Sequence, residues 1–204
     1  ISAIGGFGTA EDSNKRWRFF LDHGLDGFFV VNDLPTQIGI DSDDPMAIGE
    51  VGRCGVAFDT LADVEEALDL PFEKIKQIYF ISSSQSIVIL AMIIAALEKL
   101  GRSPDSFGLL IQNQPIKEYV CRGLYIFPID HAMKLATDVI EYCSEKYPNW
   151  VPITHTIAHF VDIFAPPGQS VGFCLAGAIA HTDAAIKRGM NVDDFAPRLS
   201  FFWD

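Results

Sequence analysis

The sequence predicts an α/β fold built on parallel strands buried on both faces. Apolar runs of strand length recur along the chain, and segments of helical pattern separate them. The composition agrees: of 204 residues, 49% are hydrophobic and 21% charged, which is globular and enough for one substantial core or a large piece of a bigger domain.

The elements follow in order. A helix is expected over 11–23, opened by Thr9 as N-cap with Glu11 and Asp12 favourable in its first turn. Gly27-Phe-Phe-Val-Val31 reads as a buried strand. The segment from Asp33 to Gly52 is long, polar and rich in Asp, Gly and Pro, as suits a functional loop after a strand. Cys54 to Asp59 is short and could be strand or loop. Thr60 with Asp63 three residues on marks a helix start before 61–70. Strands are expected at 77–82, 107–112, 151–157 and 199–202, with helices at 86–100, 132–147 and 169–188, the last stopped by Gly189. The longest apolar run, Ile87 to Leu97, is about half of what spans a bilayer and reads as a core helix.

Charge and cysteine usage exclude several classes. A formal charge of −12 argues against nucleic-acid and anionic-membrane surfaces, although a local basic patch could still hold a polyanion. Cys54, Cys121, Cys143 and Cys174 form no CxxC pair and read as buried free thiols in a reducing compartment. No secretory signal is visible. The first residue is Ile and the last residues are Phe201-Phe-Trp-Asp204, so the chain is expected to be a segment of a longer polypeptide.

Several residues could carry chemistry. His159 follows the strand at 151–157, where a neutral imidazole can donate a hydrogen bond to a carbonyl oxygen, or can be a satisfied structural histidine. His155 and His159 at i, i+4 are a weak metal pair without an acidic or thiolate ligand at known spacing. Gln112 ends the strand at 107–112. Arg122 comes after a turn containing Lys117 and Glu118, and could grip a carboxylate or phosphate, or pair with Glu118 or Asp130. Asp33, Asp41, Asp43 and Asp44 miss the EF-hand spacing and read as a turn network. Ser82-Ser-Ser-Gln-Ser86 either caps a helix or lines a pocket. Gly5-Gly-Phe-Gly8 lacks the GxGxxG spacing and an expected preceding strand, and reads as a loop entering a helix.

Five ordered motifs carry a resemblance: DLPTQxGxDSD at 33–43, GEVGxxGVAxD at 49–59, IQN…KEY…RG…YIFP at 111–128, DxIEYC at 138–143 and DxFAPRLSFF at 193–202. Together they resemble the large-domain barrel of the coenzyme-B12-dependent acyl-CoA mutases, the methylmalonyl-CoA mutase family. The resemblance implies a partial TIM-type (βα)8 barrel with parallel strands, residues 1–204 being a segment of the acyl-CoA-binding barrel. The cobalamin-binding domain would lie outside this chain, since the DxHxxG motif is absent from these residues. The implied reaction is an adenosylcobalamin-dependent carbon-skeleton isomerisation, in which a deoxyadenosyl radical abstracts hydrogen from the acyl group and the thioester migrates.

Carried over residue by residue, the resemblance makes His159 the donor to the thioester carbonyl. Arg122 becomes the partner of a substrate carboxylate, and Gln112 and Ile4 line the substrate pocket. Asn32, Cys54 and Asp162 fall where the family approaches the corrin. Departures are clear: the family's Tyr-Ala-Gly-Phe is Ile4-Gly-Gly-Phe7 here, and its Gly-Tyr-His-Ile-Arg-Glu is Ile157-Ala-His-Phe-Val-Asp162. Ile4 resembles hydroxyisobutyryl-type mutases, whereas Arg122 resembles methylmalonyl-type ones. The expectation is therefore a mutase of methylmalonyl-CoA/succinyl-CoA type. The alternatives are a mutase for a branched or hydroxylated acyl-CoA and a non-catalytic barrel subunit supporting a catalytic partner. Expected partners are an acyl-CoA substrate, a B12-binding domain or subunit and further subunits of a homo- or hetero-oligomer, with no nucleic acid and no membrane. The expected location is cytoplasmic, or the mitochondrial matrix in a eukaryote.

Overall fold

The structure is a computed structural model and describes residues 1–203. It begins with strand β1 (Ser2–Gly5), helix α1 (Ala10–Asp22) and strand β2 (Gly27–Val31). Next come a short α2 (Leu34–Ile38), α3 (Leu61–Leu68), β3 (Gln77–Ile81) and the apolar α4 (Ser86–Lys99). Strand β4 (Gly108–Ile111) leads into α5 (Pro115–Lys117) and a π-helical turn over Glu118–Arg122. The rest comprises α6 (Ile129–Lys146), β5 (Ile153–Thr156), α7 (Ala158–Asp162), α8 (Pro167–Lys187), α9 (Val192–Phe195) and β6 (Leu199–Phe202).

All strand pairs are parallel. β1 to β4 form one sheet in sequence order, and β5 pairs with β6. The two sheets are continuous across a single seam: Val151 bridges Leu110, and Thr154 N donates to Gln112 O at 3.1 Å. Six consecutive parallel strands with helical crossovers make an arc of a (βα)8 barrel.

Strand residues divide by parity. Phe28, Val30, Ile78, Phe80, Leu109 and Ile111 face outward, are almost fully buried and pack under α1, α3, α4 and α6 in one large core. Trp17 of α1 stacks on Phe28 with ring centroids 5.0 Å apart. A smaller cluster of Ile140, Ile153, Ala185 and Phe195 joins α6, α8 and α9 to β5. The other parity faces the lumen: Ile4, Phe29 and Val31, Tyr79 and Ile81, Leu110, Thr154 and Thr156, Ser200 and Phe202. These strands are thus buried on the helix side by the core and on the lumen side only by one another.

Local signals act as the sequence suggested. Thr9 and Asp12 exchange hydrogen bonds across the first turn of α1. Asp63 Oδ2 accepts from Thr60 N and Oγ1 at 2.7 and 2.9 Å before α3. Asp33 is buried, with Oδ1 accepting from Thr36 N at 3.0 Å and Oδ2 from Gly52 N at 2.7 Å. It thereby caps α2 and ties down both ends of the polar loop, while Asp44 caps a 3-10 turn at Pro45–Ala47. Gly52 takes φ +66°, and a Cβ there would meet the Gly8 backbone at 2.7 Å, so only glycine lets this loop close on the end of β1.

Two expectations are corrected and one open reading is settled. A strand does precede Gly5-Gly-Phe-Gly8: β1 is short and weak in β-branched residues, and it is held by its parallel register with β2. Val56 makes only isolated bridges, to Gly8 and Asn32, so 54–59 is no full strand. Cys143 and Cys174 are buried, but Cys54 is exposed, because it lies in the loop at the barrel mouth with no helix above it. Among the described residues no helix is long and apolar enough to cross a membrane; Ile87–Leu97 lies inside α4.

Candidate active site

The C-terminal ends of the strands surround a cavity of about 430 Å³ whose wall is mostly aliphatic and aromatic, with Gln112, Thr154, Thr156, His159 and Ser200 as its polar members. An apolar concavity with a few convergent polar groups at this end of a parallel barrel is where a ligand site is expected.

His159 is placed on α7, directly after β5, and lines this cavity. Burial, followed by the nearby Lys117 ammonium and partly offset by Glu118, pushes its pKa down to about 4. The ring is therefore neutral at ordinary pH, and its buried Nδ1 has no partner among the described residues. His155 points the other way. Its Nε2 lies 3.4 Å from Nδ1 of His181 on α8, and both rings are fully buried. Burial foremost pushes His155 to about 3 and His181 to about 4. His155 on β5 thus turns toward α8 while His159 on α7 turns toward the lumen, so the two rings do not gather around one ion.

Gln112 is reached from behind by a buried ionic cluster. Its Oε1 accepts from Lys117 Nζ at 3.0 Å and from Ser83 Oγ at 3.2 Å. Lys117, with no exposed surface, also pairs with Glu118 Oε1 at 2.9 Å, and Glu118 Oε2 takes Arg122 Nη1 at 3.1 Å. Burial lowers the Lys117 pKa, with Glu118 opposing it. For Glu118 burial works upward, yet Lys117 and Arg122 together outweigh it and hold the carboxyl below its usual range. Of the two ion-pair alternatives for Arg122, the one to Glu118 is made. The guanidinium keeps further N–H donors for a ligand and borders a crevice with Gln37, Ser83 and Gln112 behind the lumen wall.

The remaining expected residues spread around the mouth. Ile4 projects from β1 at 73% exposure and lines both the lumen and a neighbouring hollow shared with Cys54 and Arg16. Asp162 sits exposed at the end of α7, close enough to influence His159. Asn32 is fully buried: its Oδ1 accepts from Ser82 Oγ at 3.1 Å and its Nδ2 donates to Val56 O at 3.4 Å. Its amide is spent joining β2, β3 and the following loop, so it is not part of the rim. The structure therefore brings together Gln112, His159 and Ile4 at the lumen, with Arg122 behind Gln112.

Sequence reasoning missed Thr154 and Thr156 as lumen residues, although their alternation along a strand was visible, and missed that Lys117 and Glu118 are buried. Nothing local marks a Lys-Glu pair as interior. The serine cluster neither caps α4 by a side chain nor lines the lumen: Ser83 braces Gln112 beside the crevice behind the wall, Ser82 braces Asn32, and Ser86 Oγ returns to Ser82 O.

A parallel-barrel arc with polar side chains gathered at its strand ends is the (βα)8-barrel class of fold, in which ligand sites form at that end. A family model described as methylmalonyl-CoA mutase matches residues 1–204. The chain is 40% identical over 201 residues to the "2-hydroxyisobutanoyl-CoA mutase large subunit" of Aquincola tertiaricarbonis, covering 98% of this chain and 36% of that protein. It is 39% identical to the "methylmalonyl-CoA mutase" of Escherichia coli K12 over 204 residues, all of this chain and 28% of that protein. The "methylmalonyl-CoA mutase large subunit" of Propionibacterium freudenreichii is 34% identical over the same length, 28% of that protein. The chain belongs to the methylmalonyl-CoA mutase family, and it spans about a third of the length of these relatives.

Proposed function

We propose that residues 1–204 form part of the acyl-CoA-binding barrel of an acyl-CoA mutase that isomerises a carboxylated acyl-CoA of methylmalonyl-CoA/succinyl-CoA type. The observation that carries the reading is the convergence of neutral His159 and Gln112 on the apolar lumen, with the Arg122 guanidinium behind them. His159 offers a ring N–H to the thioester oxygen, where charge grows during migration. Arg122 offers its free guanidinium donors to the acyl carboxylate from the crevice behind the wall, and Gln112, which borders both crevice and lumen, presents its amide beside it. The aliphatic and aromatic lumen wall excludes water from a reactive intermediate.

The residues present fit adenosylcobalamin as one wall. The mouth carries exposed apolar side chains, Ile4 and Phe7, beside Cys54, which suits a flat macrocycle, and Asp162 borders it on the α7 side. Bound there, the cofactor would supply the hydrogen-abstracting radical. Residues outside 1–204, in a B12-binding domain or subunit, would hold most of it.

A second reading, a mutase for a hydroxylated or branched acyl-CoA, is favoured by Ile4. Its small side chain leaves room on the lumen face of β1, and the Aquincola relative carries such a name. The deciding experiment assays the complete protein with adenosylcobalamin on methylmalonyl-CoA and on 2-hydroxyisobutanoyl-CoA, following product acids by mass spectrometry. Conversion of the first supports the main reading, conversion of only the second supports the alternative, and conversion of neither overturns both.

A further inference from the structure

We infer that Lys117 is a positioning residue, which locks the Gln112 side chain so that its amide nitrogen, not its oxygen, faces the lumen. A glutamine amide is nearly symmetric in shape, and either end could face a ligand. Lys117 breaks that symmetry. Its Nζ sits 2.9 Å from the Glu118 carboxylate and donates to the Gln112 atom 3.0 Å away, which makes that atom Oε1; in the ion pair the ammonium has only protons to give. Ser83 Oγ, at 3.2 Å from the same oxygen, reinforces the choice. Gln112 lines the cavity while its oxygen is engaged behind the wall, so the NH2 group is its free polar end. The lumen is thereby set to donate to an acyl oxygen.

Burial makes the lock firm. Lys117 and Glu118 are 0% and 1% exposed, and turning Gln112 over would leave a buried ammonium facing an NH2 group, at the cost of an unmet buried donor. Lys117 touches no lumen space itself. It ends α5, whereas Gln112 directly follows β4, so six residues of chain build both the donor and its brace.

This inference rests on the proposed acyl-CoA reading, and its test separates the two. In the complete protein, Lys117→Met, Ser83→Ala and Gln112→Leu are made singly, and the first two are also combined with Gln112→Leu. Turnover of methylmalonyl-CoA and calorimetric binding of succinyl-CoA are measured for each. Lys117→Met is expected to lower kcat/KM roughly 10–100-fold, the range for residues that orient a ligating group, with Ser83→Ala giving a smaller loss. In the Gln112→Leu background neither change should cost anything further. Losses that multiply independently of Gln112 overturn the inference and leave the mutase reading intact. If the parent binds succinyl-CoA without converting any acyl-CoA, the mutase reading fails, and the same cycle on Kd decides the inference. A parent that neither binds nor converts overturns both. Should Lys117→Met fail to fold, the Ser83→Ala cycle decides, because that change removes one hydroxyl and leaves the ion pairs in place.

Discussion

At the scale of single residues, two side chains should separate chemistry from recognition. His159→Ala in the complete enzyme is expected to lower turnover about 10²–10³-fold, with much less effect on substrate affinity, the loss typical of one preorganised donor. Steady-state kinetics with direct substrate binding checks the split. Arg122→Gln should weaken a carboxylated acyl-CoA by roughly 2–5 kcal/mol while sparing an uncharged one. Equal losses on both substrates would assign Arg122 to general coenzyme A binding. The buried histidines make a third expectation. Folded-state values of about 3 for His155 and about 4 for His159 and His181 lie below the ordinary 6.5, so between these limits the unfolded chain binds more protons. Their contribution to stability is complete above about pH 6.5 and drains away as pH falls through about 4 toward about 3. The urea midpoint should decline across that window, and the decline should be shallower in His155→Gln.

Elements tell what was legible in the sequence. Strands β2, β3, β4 and β6 were visible because each is a mostly apolar run bounded by polar turns. Strand β5 was expected within 151–157 although Thr154, His155 and Thr156 make its core polar. Helices α1, α3, α4, α6 and α8 were visible because caps and stop signals frame them. Strand β1 was not, since Ser2, Ala3 and Gly5 have little strand preference and the segment exists only through its pairing with β2. The site was legible in the same uneven way. Gln112 and His159 could be placed at strand ends, Ile4 entered only through the family resemblance, and the three meet at the lumen. The burial of Lys117 and Glu118 depends on how α5 and α6 fold back over β4, a tertiary fact with no local trace. Close approach between elements offers a direct test. A Cβ on Gly55 would lie 2.3 Å from the Asn32 backbone, whereas one on Gly168, in the first turn of α8, meets nothing within 4 Å. Gly55→Ala should therefore destabilise by about 1–3 kcal/mol through forced backbone movement. Gly168→Ala should be neutral, or stabilise by about 0.5–1 kcal/mol. Thermal unfolding of the complete protein distinguishes them.

For the whole molecule, β1 and β6 each have a single bonded neighbour, so the arc ends in two strands with unmet pairing groups. Residues 1–204 alone are expected to self-associate at moderate concentration, which sedimentation velocity would reveal. They should also bind adenosylcobalamin no tighter than a single wall allows. A spectral titration showing a base-off, His-on change at micromolar affinity would contradict that view. The parity of the strands has a further consequence, for descent rather than for chemistry. Outward residues such as Phe28 and Phe80 are locked into the helix-side core, while their lumen neighbours Phe29 and Tyr79 stack on each other at 4.3 Å, with Phe202 edge-on to Phe29 at 6.3 Å. Replacement on the lumen side can alter what the barrel admits while leaving the helix packing untouched. A lineage can thus wander between acyl groups along one face of each strand while the other face keeps the fold.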